Sequence, residues 1–130
     1  MSKLMRYHRL LDARNSLSQL DEFVQACWEC WKQKVPRGIY NMTNPGSIST
    51  REVAEMIRRE GEFRLSRGES SPFPQSFDFF ANEEEFMKVA AITPRSNCVM
   101  DSSKLAATGI KMSPLDEAIE KALKNWRVES

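Results

Sequence analysis

Ile39-Tyr40-Asn41-Met42-Thr43-Asn44-Pro45-Gly46-Ser47-Ile48-Ser49-Thr50-Arg51-Glu52-Val53-Ala54-Glu55-Met56-Ile57 reads as a short apolar strand, a tight turn and an amphipathic helix. Ile39 to Met42 form the strand, and Asn44-Pro45-Gly46-Ser47 is composed of turn formers. Ser49 and Glu52 stand at the spacing of a capping box, and Val53, Ala54, Met56 and Ile57 share one helical face. This is a strand-to-helix unit of an α/β sheet. Its turn lacks the closely spaced glycines that let a nucleotide phosphate approach the backbone. That makes it a late unit of a doubly wound fold rather than the first, nucleotide-binding one. No other stretch supplies the first unit. The expected fold class is therefore α+β and helix-dominated, with a partial Rossmann-type sheet whose N-terminal cofactor-binding half is missing.

On the C-terminal side, Gly61 is placed to end the helix and Glu62-Phe63-Arg64-Leu65 to form a short strand. Residues 66–76 hold Gly68, Pro72, Pro74 and four serines, the composition of a loop. Asn82 should cap a short helix whose first turn carries Glu83, Glu84 and Glu85. Consecutive helical residues point in different directions, so these acids read as a solvated helix start rather than a metal site. Residues 92–101 are expected to be extended around Pro94, with Asp101 capping a helix that stops at Gly109. Ser113-Pro114 opens a last helix with Leu115, Ala118, Ile119, Ala122, Leu123 and Trp126 on its apolar stripe.

On the N-terminal side, Leu17, Leu20, Phe23, Val24, Cys27, Trp28, Trp31 and Val35 recur at helical spacing, ended by Pro36 and Gly38. Ser18 and Asp21 resemble a capping box. The two tryptophans, lying on the apolar stripe, are expected in the core rather than on a sugar-stacking platform. Cys27 and Cys30 form a Cys-x-x-Cys pair, but inside the helix rather than at its N-terminus, where the dipole would stabilise a thiolate. A zinc set of His8, Cys27, Cys30 and Cys98 would have irregular spacing. Buried, apolar thiols are the expectation, and three cysteines make no disulfide framework.

The 130 residues carry a formal net charge of +1, with 41% hydrophobic and 28% charged residues. That is an ordinary globular composition, with no global pull toward nucleic acid or membrane. There is no apolar run of about 18 residues to span a bilayer. The opening Met1 to Arg6 is followed by no apolar stretch, so no secretory signal is expected and the cytoplasm is the default location.

The five glycines, at 38, 46, 61, 68 and 109, are too far apart for a dinucleotide or Walker loop. The tyrosines, Tyr7 and Tyr40, are followed four residues later by Leu11 and Asn44, not by the lysine that lowers a catalytic phenol's pKa. His8 lies in a charged stretch with no evident nucleophile beside it. The chain alone holds no recognisable catalytic set.

Three blocks carry a more specific signal: Lys3-Leu4-Met5-Arg6-Tyr7 through Asn15-Ser16-Leu17-Ser18; Tyr40 through Gly46; and Pro94-Arg95-Ser96-Asn97-Cys98-Val99-Met100-Asp101-Ser102-Ser103-Lys104-Leu105. In this order they resemble the C-terminal, substrate-side portion of extended short-chain dehydrogenase/reductases acting on nucleotide sugars. Within that class they resemble most the dTDP-4-dehydrorhamnose reductase group and the epimerase-reductases that make nucleotide-linked rhamnose, of the NAD-dependent epimerase/dehydratase family. The resemblance runs from about Lys3 to Trp126. It implies that residues 1–130 form one substrate-binding subdomain, and that the glycine-rich cofactor site and the Tyr-x-x-x-Lys pair belong to sequence not present here. NAD(P) would serve the intact enzyme without being bound by this chain.

Arg95 is the first candidate for the substrate, because a guanidinium offers forked donors to the diphosphate shared by nucleotide sugars. Asn97, two residues on, would share its side of an extended segment and reach hydroxyls. Lys3 would add charge. Each has a plainer alternative: a surface or capping arginine, a turn-forming asparagine, a solvated lysine. A non-enzymatic module binding its partner through an exposed sheet edge or apolar face is the alternative function. A complementary Rossmann half or a second copy is the partner such a surface implies.

Overall fold

The computed structural model describes residues 4–90, 93 and 97–127. Elements follow the order β1 (Arg9–Leu10), β2 (Arg14–Asn15), α1 (Leu20–Lys32), β3 (Ile48–Ser49), α2 (Thr50–Ser66), β4 (Asp78–Phe79), α3 (Glu83–Ala90), α4 (Ser103–Ala106) and α5 (Leu115–Lys124). β1 pairs in parallel with β4, Arg9 opposite Asp78, while β2 pairs antiparallel with β3, Arg14 opposite Ser49. The described residues are therefore helix-rich with two small two-stranded sheets.

The main core lies where α2 meets α5. Val53 and Ile57 from α2 pack with Leu115, Ile119 and Leu123 from α5, and Ile48 and Phe73 close the cluster. Both helices present an apolar stripe at 3.6-residue spacing, and joining the stripes removes each from water. Ser49 starts α2 through a complete capping box with Glu52. Arg64, near the other end, donates to the carbonyl oxygens of Leu123 at 2.7 Å and Trp126 at 3.1 Å. A side chain of α2 thereby ties the two helix ends together, adding a charged donor to the Leu123 oxygen, which also accepts from the Trp126 N–H at 3.1 Å. A second cluster, of Ala26, Leu105, Ile110 and Met112, sits beneath α1 and α4.

Several expectations need correction. Residues 39–43 form no strand: Ile39 is 87% exposed, and neighbouring side chains meet the local carbonyls. Lys104 donates to the Ile39 oxygen at 2.9 Å, and Ser18 to the Met42 oxygen at 2.7 Å. With side chains in place of a neighbouring strand, the segment has no ladder to join. Residues 62–65, expected as a strand, continue α2. Gly61 is not its end but a buried interior position, where a Cβ would lie 3.1 Å from Ser71 Oγ and 3.3 Å from Phe73 Cβ. The chain beyond α2 folds back so closely that only hydrogen fits there comfortably.

Helix α1 is also shorter than its periodicity implies. Gln19, not Ser18, caps it, accepting from the Glu22 N–H at 2.7 Å. Its apolar stripe faces outward: Trp28 and Trp31 are 55% and 71% exposed, and Ala26 alone among helix residues is buried. Cys27 and Cys98 are exposed and Cys30 half-buried, contrary to the expectation of buried thiols. Burial, then the neighbouring Cys27, pushes the Cys30 thiol above its ordinary pKa, the reverse of thiolate activation. Ser113 does not cap α5; Pro114 occupies that position, and the Ser113 hydroxyl points elsewhere.

Candidate functional site

The Ser113 hydroxyl and N–H both donate to the Glu22 carboxylate near the start of α1. Between them lies Asn44, of the Asn-Pro-Gly turn, fully buried. Its side-chain oxygen accepts from the Gln19 N–H at 2.8 Å, and its amide donates to Glu22 and, at 2.9 Å, to the Ser113 carbonyl. Its own N–H donates to the Leu17 carbonyl at 3.0 Å. An asparagine carries both donors and an acceptor, and this site uses both kinds. Pro45 extends the joint by accepting from Leu115 N–H at 3.0 Å. Burial alone would raise the Glu22 pKa. The Ser113 hydroxyl, the Asn44 amide, the Ser113 N–H and the Lys121 charge outweigh it, and the carboxyl is held below its ordinary value.

Around this joint, three distant parts of the chain converge. The Ser16 N–H donates to the Cys98 carbonyl at 2.8 Å, the Cys98 N–H donates to Asn15 Oδ1 at 3.1 Å, and the Met100 N–H donates to Ser16 Oγ at 2.8 Å. Asn41 Nδ2 reaches the Asp101 carbonyl at 2.9 Å. Asp101 in turn accepts from the Ser103 N–H, and that bond, with the Ser103 side chain, holds its carboxyl below the ordinary range. Lys104 lies over the Tyr40 ring, 4.7 Å from its centre. Segments 15–18, 41–44 and 97–104 thus form one platform of backbone and short polar side chains.

Asn97 is exposed beside this platform, immediately before the Cys98 N–H that anchors the segment to Asn15. Arg95 and Lys3 lie outside the described residues. Asn15, Ser16 and Asn44 of the platform, and Glu22 of the adjoining joint, were not proposed as site residues from sequence. Asn15, Ser16 and Asn44 stood out only as members of the three sequence blocks, and Glu22 had no local signal. Among the described residues no group of three histidine, cysteine, aspartate or glutamate side chains could hold a metal ion.

A cleft of about 930 Å³ shares no residue with the platform. It runs between the turn at Pro45–Gly46, the outer face of α2 and residues 75–79. Its guanidinium groups are already engaged. Arg58 bonds Glu55 at 2.6 Å and also Glu62, while Arg51 bonds Asp12 at 3.2 Å and covers the Phe79 ring at 4.1 Å. The Arg58 bond, against some desolvation, brings Glu55 down to about 2. Walls neutralised in this way offer little to an anionic ligand.

No protein-family model matches the chain. It is 34% identical over 123 residues to the Arabidopsis thaliana trifunctional UDP-glucose 4,6-dehydratase/UDP-4-keto-6-deoxy-D-glucose 3,5-epimerase/UDP-4-keto-L-rhamnose-reductase, covering 93% of this chain and 16% of that protein. It is 32% identical over 123 residues to the bifunctional dTDP-4-dehydrorhamnose 3,5-epimerase/dTDP-4-dehydrorhamnose reductase of the same plant, covering 93% of this chain and 36% of that one. In three dimensions it matches the UDP-rhamnose synthase of Acanthamoeba polyphaga mimivirus with a TM-score of 0.78. That match covers 96% of this chain and 39% of the viral one, at 21% identity. The chain spans well under half the length of each. It is therefore a homologue of a limited portion of the UDP-rhamnose synthase and dTDP-4-dehydrorhamnose reductase enzymes.

Proposed function

We propose that this chain is the substrate-binding part of a cytoplasmic, NAD(P)-dependent nucleotide-sugar reductase or epimerase, and is not catalytically competent alone. The observation that carries the reading is the convergence of segments 15–18, 41–44 and 97–104 into one platform with Asn97 exposed beside it. In this reading Arg95 holds the substrate diphosphate, Lys3 adds positive charge and Asn97 bonds a hydroxyl. Nicotinamide supplies the hydride, and the tyrosine acid/base and its lysine belong to a complementary Rossmann half. The chain would contribute its part of a doubly wound sheet only when joined to that half. Titration with UDP-glucose, followed by amide NMR, tests this. The expected result is saturable shifts centred on Asn15, Ser16, Asn41 and Asn97, weakened at least about tenfold by Arg95→Ala. Shifts confined to other surfaces would overturn the assignment, and saturable binding of NADPH would overturn the claim that this chain lacks a cofactor site.

A second reading, a non-enzymatic module that binds a partner through an apolar face, draws support from the outward stripe of α1. Its test is whether substitutions on that stripe abolish association while leaving the fold intact.

A further inference from the structure

Three sulfur atoms meet on the flank of α1 that is turned toward residues 40–42. The Cys27 thiol donates to the Met42 thioether at 3.3 Å, and Cys30 and Met42, both half-buried, pack against the second core cluster. At about 100° per residue, Cys30 stands roughly 40° around the helix from the buried Ala26, and Cys27 roughly 60° beyond it. Helical residues three apart are neighbours, and the Cys30 thiol feels Cys27 as a nearby titratable group. The return of the chain is held in place. The Val35 N–H donates to the Cys30 carbonyl at 3.2 Å, and the Met42 carbonyl accepts from the Ser18 hydroxyl at 2.7 Å. Asn41 and Asn44, on either side of Met42, are anchored by their own side chains. The cluster is thus assembled by contacts within this chain and does not depend on any exposed face.

We propose that Cys27, Cys30 and Met42 form a binding site for copper(I), held by two thiolates and one thioether. The donor set selects the ion. Among the described residues no third histidine, cysteine or carboxylate joins the two thiols, so zinc would be short of its usual four ligands. A thioether is neutral, soft and polarizable, and a thiolate and thioether set suits copper(I). Both thiols lose a proton as the ion enters: two thiols and one copper(I) give a bis-thiolate complex with one negative charge, and two protons pass to solvent. The Met42 sulfur adds a lone pair without changing that balance. Burial keeps the Cys30 proton on in the metal-free chain, so the ion itself drives its release. A Cys-x-x-Cys pair inside a helix lacks the N-terminal dipole that redox chemistry uses, but ligation needs only two thiols on one face. The proposal is independent of the nucleotide-sugar reading.

Anaerobic competition for copper(I) between the full chain and bicinchoninate, a chromophoric copper(I) chelator, tests this directly. The wild type should withhold one copper(I) per chain from the chelator. Cys27→Ser and Cys30→Ser should each abolish that retention, while Cys98→Ser, at a thiol on a distant segment, should leave it unchanged. Met42→Leu keeps the volume of the side chain and so the packing. It should weaken retention at least about tenfold, the least that loss of even an outer-shell group commonly costs a metal site. As an independent measurement on unmutated protein, X-ray absorption at the copper edge should show a shell of sulfur alone. The proposal is overturned if bicinchoninate strips copper from the wild type as readily as from Cys27→Ser, or if Met42→Leu binds as tightly as the wild type. Loss of retention in Cys98→Ser overturns it too, because the ion would then bridge surface thiols, and so does a shell containing nitrogen or oxygen. None of these outcomes touches the UDP-glucose titration, which reports on other residues.

Discussion

The Asn44 side-chain amide donates to the Ser113 carbonyl oxygen at 2.9 Å, across 69 residues of sequence. Through that bond, and through Glu22, the Asn-Pro-Gly turn is tied at once to the start of α1 and to the entry of α5. Replacing Asn44 by alanine leaves the Gln19 N–H, the Glu22 carboxylate and the Ser113 carbonyl short of partners. The expected cost is about 2–3 kcal/mol, read as a lower urea midpoint. Asn44→Asp should be worse at neutral pH than near pH 4, because a second carboxylate would then face Glu22. A variant as stable as the wild type would mean that water replaces the lost groups without penalty.

Glu22 gives the fold an acid sensitivity of definite sign. Its folded-state pKa lies below its ordinary value, so the native state binds its proton less readily than the unfolded chain does. The stabilisation is fully present above the ordinary carboxylate range and is lost as pH falls through the folded value. Glu52, Glu55, Glu85 and Asp101 are shifted in the same direction, Glu55 to about 2, but lie at the surface, where solvent screens them. Urea midpoints measured from pH 6 to 3 should therefore fall more steeply for the wild type than for Glu22→Gln. Parallel curves would show that Glu22 contributes nothing to the slope.

At Gly61, helix propensity and space oppose each other. Alanine would add roughly 0.5–1 kcal/mol of helix preference, against contacts of 3.1 Å to a movable Ser71 hydroxyl and 3.3 Å to the less movable Phe73 Cβ. Gly61→Ala should be close to neutral. Gly61→Val should destabilise by about 1–3 kcal/mol, since its added methyls must displace Phe73 from the main core. Thermal unfolding of the two variants side by side distinguishes this from a helix that simply gains from any side chain.

Local chemistry made part of this fold legible. The Ser49–Glu52 box and the Asn82 cap are interactions between residues three apart, and both form as their spacing implies. Gly109 takes a φ of +86° just beyond α4, as a glycine that stops a helix can. The periodicity of α5 also named its buried face, because Leu115, Ala118, Ile119 and Leu123 have α2 to pack against. The same kind of periodicity in α1 announced a helix but misnamed its inner side. A stripe states that a face is apolar, not that this chain supplies the cover. Residues 39–43 failed as a strand for a related reason: their partners, Ser18 and Lys104, come from remote sequence. The platform was visible only as three blocks in order. Its joining bonds, from Asn15 to Cys98 and from Asn41 to Asp101, span 83 and 60 residues, beyond the reach of any local pattern.

Many of those long-range ties are made by main-chain atoms on both sides: Ser16 to Cys98, Asn44 to Leu17, Thr50 to Ala13, Phe80 to Leu10 and Leu115 to Pro45. A bond between two peptide groups survives almost any exchange of the side chains that flank it, provided proline is not put in the donor's place. The scaffold can therefore tolerate drift at most of these positions while its geometry stays put, and a shape shared at a TM-score of 0.78 with 21% identity is what such a scaffold would leave behind. Positions such as Asn44, whose side chain itself makes the ties, have no such latitude. Over long divergence, mutation should accumulate around them and spare them.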